Sequence, residues 1–398
     1  MKSNHHRTGV WLVGAYGDIA TTLIVGSCAI RNNLISRNGL VTELSPMQQL
    51  DLIKLDELII GGHDIVDNTV ANQAESICVR SRTYSYPLLQ QVTAQLEKIN
   101  EDIVVAPELS WNVLQPVKDL PALDELCNKI RTMIQQFAAK HKLDHVVVVN
   151  IASAEEQNPL TEAHEDFAAF LNLLATDRKD LVPPSMLCAY AALMEDCSYI
   201  NFTPNIGASI GALQNLALER KLPYYGNDGK TGETLVKTVL APMFAARNLR
   251  VMSWEGTNLL GNGDGETLDK PENCKNKIQN KAAVLPQILG YPVHSGIHIN
   301  YVPSLGDWKT AWDLIHFQGF LDVPMTMQFI WQGCDSILAA PLIIDMIRLA
   351  EFAHRNGEQG AMRHLACFFK NPIEVDEHAF YKQFEMLLNY TYKHLEKS

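Results

Sequence analysis

Residues 145–149 read HVVVV, and this run constrains the fold more than any other. β-Branched residues favour extended chain, and an apolar run without polar alternation marks a strand covered on both faces. Sheets covered on both faces are parallel sheets flanked by helices, so the chain is expected to be α/β. Residues 10–13 are a second short apolar run, ending in Gly14-Ala15-Tyr16-Gly17-Asp18-Ile19-Ala20, and residues 21–30 are helix-compatible. Strand, glycine turn and helix is the dinucleotide-binding arrangement, in which N–H groups at the helix start face a pyrophosphate. Tyr16 and Ile19 stand where the usual Gly-x-Gly-x-x-Gly carries glycines, so a structural turn explains this segment about as well. Residues 58–60 and the following Gly61-Gly62-His63-Asp64-Ile65 read as another strand ending on an acid. Asp64 could hold a ribose hydroxyl, but it lies beyond the usual spacing of about 20 residues, which requires an insertion.

The rest of the chain extends the pattern. Residues 86–140 read as mainly helical, broken by Pro107, Pro116 and Pro121. A strand at 199–202 precedes Thr203-Pro204-Asn205-Ile206-Gly207. Residues 222–225 form a further short strand if Pro223 sits at its start or on a sheet edge. After 230 the texture changes: a helix at 231–247, strands near 249–254, 294–304 and 325–331, then a long helix at 338–355 and a helical C-terminal stretch. This predicts a second, more open sheet. The expected division is a Rossmann-like domain from 1–230 plus 341–398, with an α+β domain, 231–340, inserted.

Lys+Arg number 33 against 45 Asp+Glu, a formal charge of −12. Such a chain is poorly suited to hold nucleic acid or anionic membranes through its overall field. The eight cysteines form no Cys-x-x-Cys pair, which speaks against a zinc knuckle or redox dithiol. The N-terminus lacks signal-peptide design, and the longest uncharged stretch, 197–218, is broken by Asn201, Pro204, Asn205, Gln214 and Asn215. A cytoplasmic protein with no membrane span is expected.

Against this acidic background the segment 226–281 stands out. Two turns, Gly-Asn-Asp-Gly at 226–229 and Gly-Asn-Gly-Asp-Gly at 261–265, bracket a helix and a strand, and Lys277 and Lys281 follow. Four residues apart on a helix is one face, and two ammonium groups there call for an anion between them, a phosphate or an enolate. A solvated lysine pair is the ordinary alternative.

Taken together these residues resemble the myo-inositol-1-phosphate synthase family. The shared segments run in order: the glycine turn at 10–20, Gly-Gly-x-Asp-Ile at 61–65, x-x-Ala-x-x-Glu at 150–155, Pro-Asn at 204–205, and Gly-x-Asp at 226–228. They continue with Asn-x-x-Gly-Asn-x-Asp-Gly at 258–265, Asn-Lys-x-x-x-Lys at 276–281, Gly-Asp-x-Lys at 306–309, Asp-Ser-x-Leu-Ala-x-Pro-x-Ile at 335–343, and a lysine before proline at 370–372. The resemblance implies conversion of glucose 6-phosphate to inositol phosphate with bound NAD: oxidation at C5, proton loss from C6, aldol closure onto C1, and reduction at C5. It implies a homotetramer and leaves open a divalent or monovalent cation.

The same resemblance implies the site. Lys277 would handle the C5 hydroxyl proton and Lys281 would assist. Lys309 would contact the reacting oxygens, Lys370 would complete the cationic set, and Asp228 and Asp335 would orient the lysines. Gly14, Tyr16, Gly17, Asp18, Ile19, Asp64, Ala152, Ser153 and Asp264 would hold NAD. Thr231, Gly232, Glu233, Asn258 and Asn262 would hold the substrate. Departures from the family pattern are Tyr16, His63, the 150–153 run, Trp308 inside the lysine motif, and Glu233 in a turn that helps bind phosphate. Glu233 and Trp308 motivate a second reading, a cyclase or epimerase of the same fold acting on a different sugar or sugar phosphate. A third is a non-catalytic NAD-binding scaffold.

Overall fold

The computed structural model describes residues 6–111, 120–156, 159–261 and 284–396. Strands β1 (Thr8–Val13), β2 (Ile59–Asp64), β3 (Ile103–Val105), β4 (His145–Asn150), β5 (Ser198–Asn201), β6 (Pro223–Gly226) and β11 (Gly360–Ala361) form one sheet. Its order is β11-β6-β5-β4-β1-β2-β3, and every pairing is parallel. The first six strands thus follow the doubly wound dinucleotide-binding order, with the switch point between β1 and β4. All six residues of β4 are buried, as the HVVVV run requires.

Helices cover both faces. On one side lie α1 (Asp18–Arg31), α2 (Val70–Ser81), α3 (Tyr86–Asn100) and α9 (Asp335–Arg355). On the other lie α4 (Leu123–His141), α5 (Phe167–Ala175), α6 (Pro184–Met194) and α7 (Gly211–Glu219). The C-terminal helix α10 (Phe380–Leu395) joins the first group. The insertion expected before Asp64 is residues 32–58. It is anchored on α9, where the Asp345 carboxylate accepts from the amides of Val41 and Thr42 and Arg348 donates to the Ile53 carbonyl.

Helix α8 (Gly232–Ala246) leads into the second sheet. Strands β7 (Arg250–Leu260), β8 (His294–Tyr301), β9 (Trp308–Gln318) and β10 (Pro324–Cys334) lie in the order β10-β9-β7-β8, with only β7 and β8 parallel. One face packs on α8 and a short helix at 284–289 through Phe244, Trp254, Leu285, Ile315 and Phe317. The other carries Trp312 and Ile330, paired across β9 and β10 and 38% and 71% exposed.

Three strands differ from expectation. The 86–140 stretch is not wholly helical, because β3 interrupts it and extends the sheet beyond β2. β9 was hidden in the sequence behind the Gly-Asp-x-Lys motif, and β11 is only two residues long. Pro223 opens β6, where no ladder donor is required of it.

Candidate active site

The C-terminal ends of the parallel strands carry two polar regions. The first is a cleft of about 340 Å³ at the β1/β4 switch point, lined by Gly14, Tyr16, Gly17, Asp64, Ala152, Ser153 and Glu155 among others. Gly14 has φ +87, and a Cβ there would lie 2.8 Å from the Ala152 Cα. Only glycine lets the turn approach so closely. α1 begins at Asp18 with no side-chain cap, so its first N–H groups face the cleft as anion donors. The Tyr16 amide donates to Asp64 Oδ2 (2.8 Å) and the Val66 amide to Oδ1 (3.1 Å), which fixes the carboxylate beside the turn. Burial raises the Asp64 pKa, and these backbone bonds oppose the rise. Two bonds leave a carboxylate with acceptor capacity for a ribose hydroxyl.

One expectation for this cleft changes. Asp18 does not direct its carboxylate at a pyrophosphate; it accepts from Gln73 Nε2 (2.8 Å) and Arg80 Nη2 (2.7 Å), docking α1 on α2. Tyr16 donates its amide to Asp64 and lines the cleft. His63 is buried beneath the turn. Its Nδ1 accepts from Trp11 Nε1 (2.9 Å), and burial, with Lys129 beyond, holds its pKa down at about 4. Glu155, in the family segment but assigned no role from sequence, accepts from the Ser185 amide (2.7 Å) and hydroxyl (2.6 Å). Burial pushes it up to about 7 against those bonds.

The second region is the turn from β6 into α8. Asp228 adopts φ 62, and its carboxylate receives Lys370 Nζ at 2.6 Å, both side chains nearly buried. The pairing is set by backbone: the Lys370 amide donates to the Asp228 carbonyl at 2.7 Å. Three residues on, the Thr231 hydroxyl donates to Asp335 Oδ1 (3.4 Å), and Lys309 Nζ lies 3.6 Å from Asp335 Oδ2. Gly232 has φ +52, and a Cβ there would sit 3.7 Å from Asp335 Oδ1 and 3.8 Å from Lys309 Nζ. Asp335 is the first residue of α9, which places its carboxylate beside Lys309. Asn205 links the two regions, donating to the Ser153 carbonyl (3.0 Å) while its own carbonyl accepts from Asn227 Nδ2 (3.2 Å).

Glu233 and Asn258, expected to face the substrate, are 1% and 0% exposed and bond to each other. Glu233 is fully buried, its Oε1 2.6 Å from Lys237 Nζ and its Oε2 accepting from Asn258 Nδ2 at 2.6 Å. The carboxylate therefore turns beneath the second sheet, away from the Thr231–Gly232 turn, and cannot repel a phosphate there. Trp308 also turns away, donating from Nε1 to the Ser81 carbonyl (2.7 Å). Lys277, Lys281, Asn262 and Asp264 lie outside the described residues.

Sequence reading missed Lys230. It is 2% exposed, donates to Gln383 Oε1, and lies 5.8 Å from the Phe380 ring centroid. Burial, with Lys370 nearby, lowers its pKa to about 8. Its place two residues after Asp228 in a glycine turn was the available signal. Also missed was the support behind Lys309: buried Asp307 accepts from Cys334 Sγ (2.8 Å) and the Ser336 hydroxyl, and its amide donates to Ser81 Oγ (3.1 Å). Among the described residues no group of three or more His, Cys, Asp or Glu is placed to hold a metal ion.

Comparison with known proteins bears on the same residues. The family described as myo-inositol-1-phosphate synthase matches residues 8–391. Inositol-3-phosphate synthase 1 of Bacteroides thetaiotaomicron is 34% identical over 394 residues, covering 94% of this chain and 91% of its own length. Inositol-3-phosphate synthase of Dictyostelium discoideum is 28% identical over 430 residues, covering 94% and 82%. The crystal structure of inositol-3-phosphate synthase from Caenorhabditis elegans shares the fold with a TM-score of 0.85 at 23% identity, over 97% of this chain and 85% of that one.

Proposed function

The chain belongs to the myo-inositol-1-phosphate synthase family, and on that premise we propose how its residues divide the work of ring closure. It is an NAD-dependent isomerase of the inositol-3-phosphate synthase type, closing D-glucose 6-phosphate to 1L-myo-inositol 1-phosphate. The cradle at Gly14 and the uncapped start of α1 fit the pyrophosphate of NAD, Ala152 and Ser153 border it, and Asp64 takes a ribose hydroxyl. Bound NAD supplies oxidation at C5 and its later reversal, so there is no net oxidation.

The protein's own task is to manage oxyanions. Enolisation puts charge on the C5 oxygen and aldol closure puts charge on the C1 oxygen, so cations must face both. Lys309, steadied by Asp335, faces one of these oxygens, and Lys370, steadied by Asp228, completes the set. Lys277 handles the C5 hydroxyl proton and Lys281 assists. Thr231 and Gly232 border the phosphate. The observation that carries this reading is the meeting of Lys309–Asp335 and Lys370–Asp228, from distant stretches of chain, on the single turn 228–232.

The two side chains that motivated a different sugar, Glu233 and Trp308, point away from this turn, which favours glucose 6-phosphate. We read 1–230 with 341–398 as the NAD-binding domain and 231–340 as the catalytic and oligomerisation domain of a cytoplasmic homotetramer. Product identification by NMR from glucose 6-phosphate and NAD tests the reading. An inositol phosphate without NADH build-up is expected. Stoichiometric NADH release would mean an ordinary dehydrogenase, and turnover of another sugar phosphate alone would shift the assignment to a related cyclase or epimerase.

A further inference from the structure

We infer that the indole N–H of Trp331 donates to a phosphate oxygen of the sugar phosphate, next to Lys309, whose three N–H groups serve both this oxygen and the reacting one; this rests on the function proposed above. Trp331 lies on β10, opposite Ala311 of β9. It is half-buried, with its ring over two glycines. A Cβ on Gly333 would stand 3.0 Å from Nε1, and one on Gly232 would stand 3.9 Å from it. That second point is also 3.8 Å from Lys309 Nζ and 3.7 Å from Asp335 Oδ1. The indole nitrogen, the ammonium and the carboxylate therefore surround one small space above the turn into α8.

The donor balance of this space points to an anion. An indole N–H and an ammonium can only donate. Asp335 is the carboxylate they have in common, and it already accepts from Thr231 and faces Lys309. Trp11, Trp254 and Trp308 each donate from Nε1 to a protein acceptor: His63 Nδ1, Asp313 Oδ1 and the Ser81 carbonyl. Among the described residues Trp331 has no such acceptor, nor has the buried indole nitrogen of Trp111, but the Trp331 nitrogen lies beside Lys309 and Asp335. A phosphate oxygen above Gly232 gives the indole an acceptor and Lys309 a second partner beside Asp335. The indole adds directionality that a flexible ammonium does not, because its single N–H is fixed by the ring.

The experiment uses the full-length, NAD-loaded enzyme, with inorganic phosphate as the probe. Trp331→Phe keeps the ring and removes the donor. Losing a hydrogen bond to a charged oxygen is expected to raise the Kd of inorganic phosphate and the KM for glucose 6-phosphate together, by about tenfold. kcat should stay within about twofold and NAD affinity should not change, since the bond is made equally in ground and transition states. Trp331→His, which returns an N–H, should recover part of the loss. Unchanged phosphate affinity in Trp331→Phe overturns the inference. If Trp331→Phe does not fold, the wild-type protein still decides: its Trp331 indole N–H resonance, assigned through Trp331→His, must move downfield as phosphate is added, and a stationary signal overturns the inference. Failure of the two readings is distinguishable. Wild-type protein that binds phosphate through Trp331 without converting glucose 6-phosphate sinks only the proposed function; full turnover with an indifferent Trp331→Phe sinks only this inference.

Discussion

At the scale of single residues, burial separates side chains that sequence alone treats alike. Glu233 stands in the phosphate-side turn by position, yet it is 1% exposed and paired with Lys237 and Asn258. Glu233→Gln leaves Lys237 buried without its counter-charge, at an expected cost of roughly 3 kcal/mol in chemical denaturation. Its KM for glucose 6-phosphate should barely move, whereas neutralising a carboxylate that faced the phosphate would lower KM. Lys370 is also nearly buried, but its ammonium sits on Asp228 at the strand ends. Lys370→Ala is expected to lower kcat by about 100-fold or more while leaving NAD affinity intact, as loss of one oxyanion donor does. Stopped-flow or steady-state kinetics beside an NAD titration reads both. The residue types were legible, and the resemblance implied that Asp228 and Asp335 orient lysines, but not which lysine each one meets. The direction of Glu233 was not, because a helix's first turn has residues facing both the cleft and the core.

At the scale of elements, two junctions matter. The carboxylate of Asp307 ties the start of β9 to the end of β10 and the start of α9, and its amide ties the same corner to α2. Lys309 and Asp335 are each two residues or fewer from this knot. Asp307→Asn replaces an acceptor by an amide that must turn a donor toward Cys334 or Ser336. We expect kcat to fall about tenfold with NAD affinity unchanged, as misplacing a catalytic group does; kinetics of Cys334→Ser, which keeps a donor, should stay near wild type.

At the far end of the large sheet, His145 of β4 stacks on His354 of α9 with ring centroids 3.6 Å apart. Its Nε2 lies 2.8 Å from the Ser198 hydroxyl. Burial, then His354 and His6, holds His145 well below its ordinary pKa, and burial also lowers His354. The unfolded chain therefore binds protons that the folded one refuses. The sign follows: above the unfolded pKa of about 6.5 these groups cost nothing, and as pH falls below it stability drops. Denaturation midpoints between pH 7.5 and pH 5 (roughly the titration range of histidine) should fall, and His145→Gln should flatten that slope.

For the whole molecule, the two sheets do different work. The parallel sheet, covered on both faces, builds the cofactor cleft at its switch point. The second sheet delivers Lys309 and, among the described residues, leaves its outer face uncovered, with Ile330 71% exposed. Bare apolar sheet surface suits a partner subunit, which agrees with the proposed homotetramer. Ile330→Glu should therefore yield smaller species in sedimentation velocity while single-subunit NAD binding persists; an unchanged sedimentation coefficient would place the subunit contact elsewhere. Among the described residues no helix is long and apolar enough to cross a membrane.

Periodicity, turn chemistry and segment order in the sequence determined the α/β class, the strand–glycine–helix start and most strands. These are local properties, since apolar patterning and glycine positions act over a few neighbours. β3, β9 and β11 escaped because a three-residue or two-residue strand, or one masked by a motif, is stabilised by its ladder partners rather than by its own propensity. Which side chains converge was likewise decided only by the tertiary structure. The burial of Glu233, the knot at Asp307, the depressed Lys230 and the aim of Trp331 all depend on chain distant in sequence, and no local pattern records the dielectric or the neighbours that a side chain meets after folding.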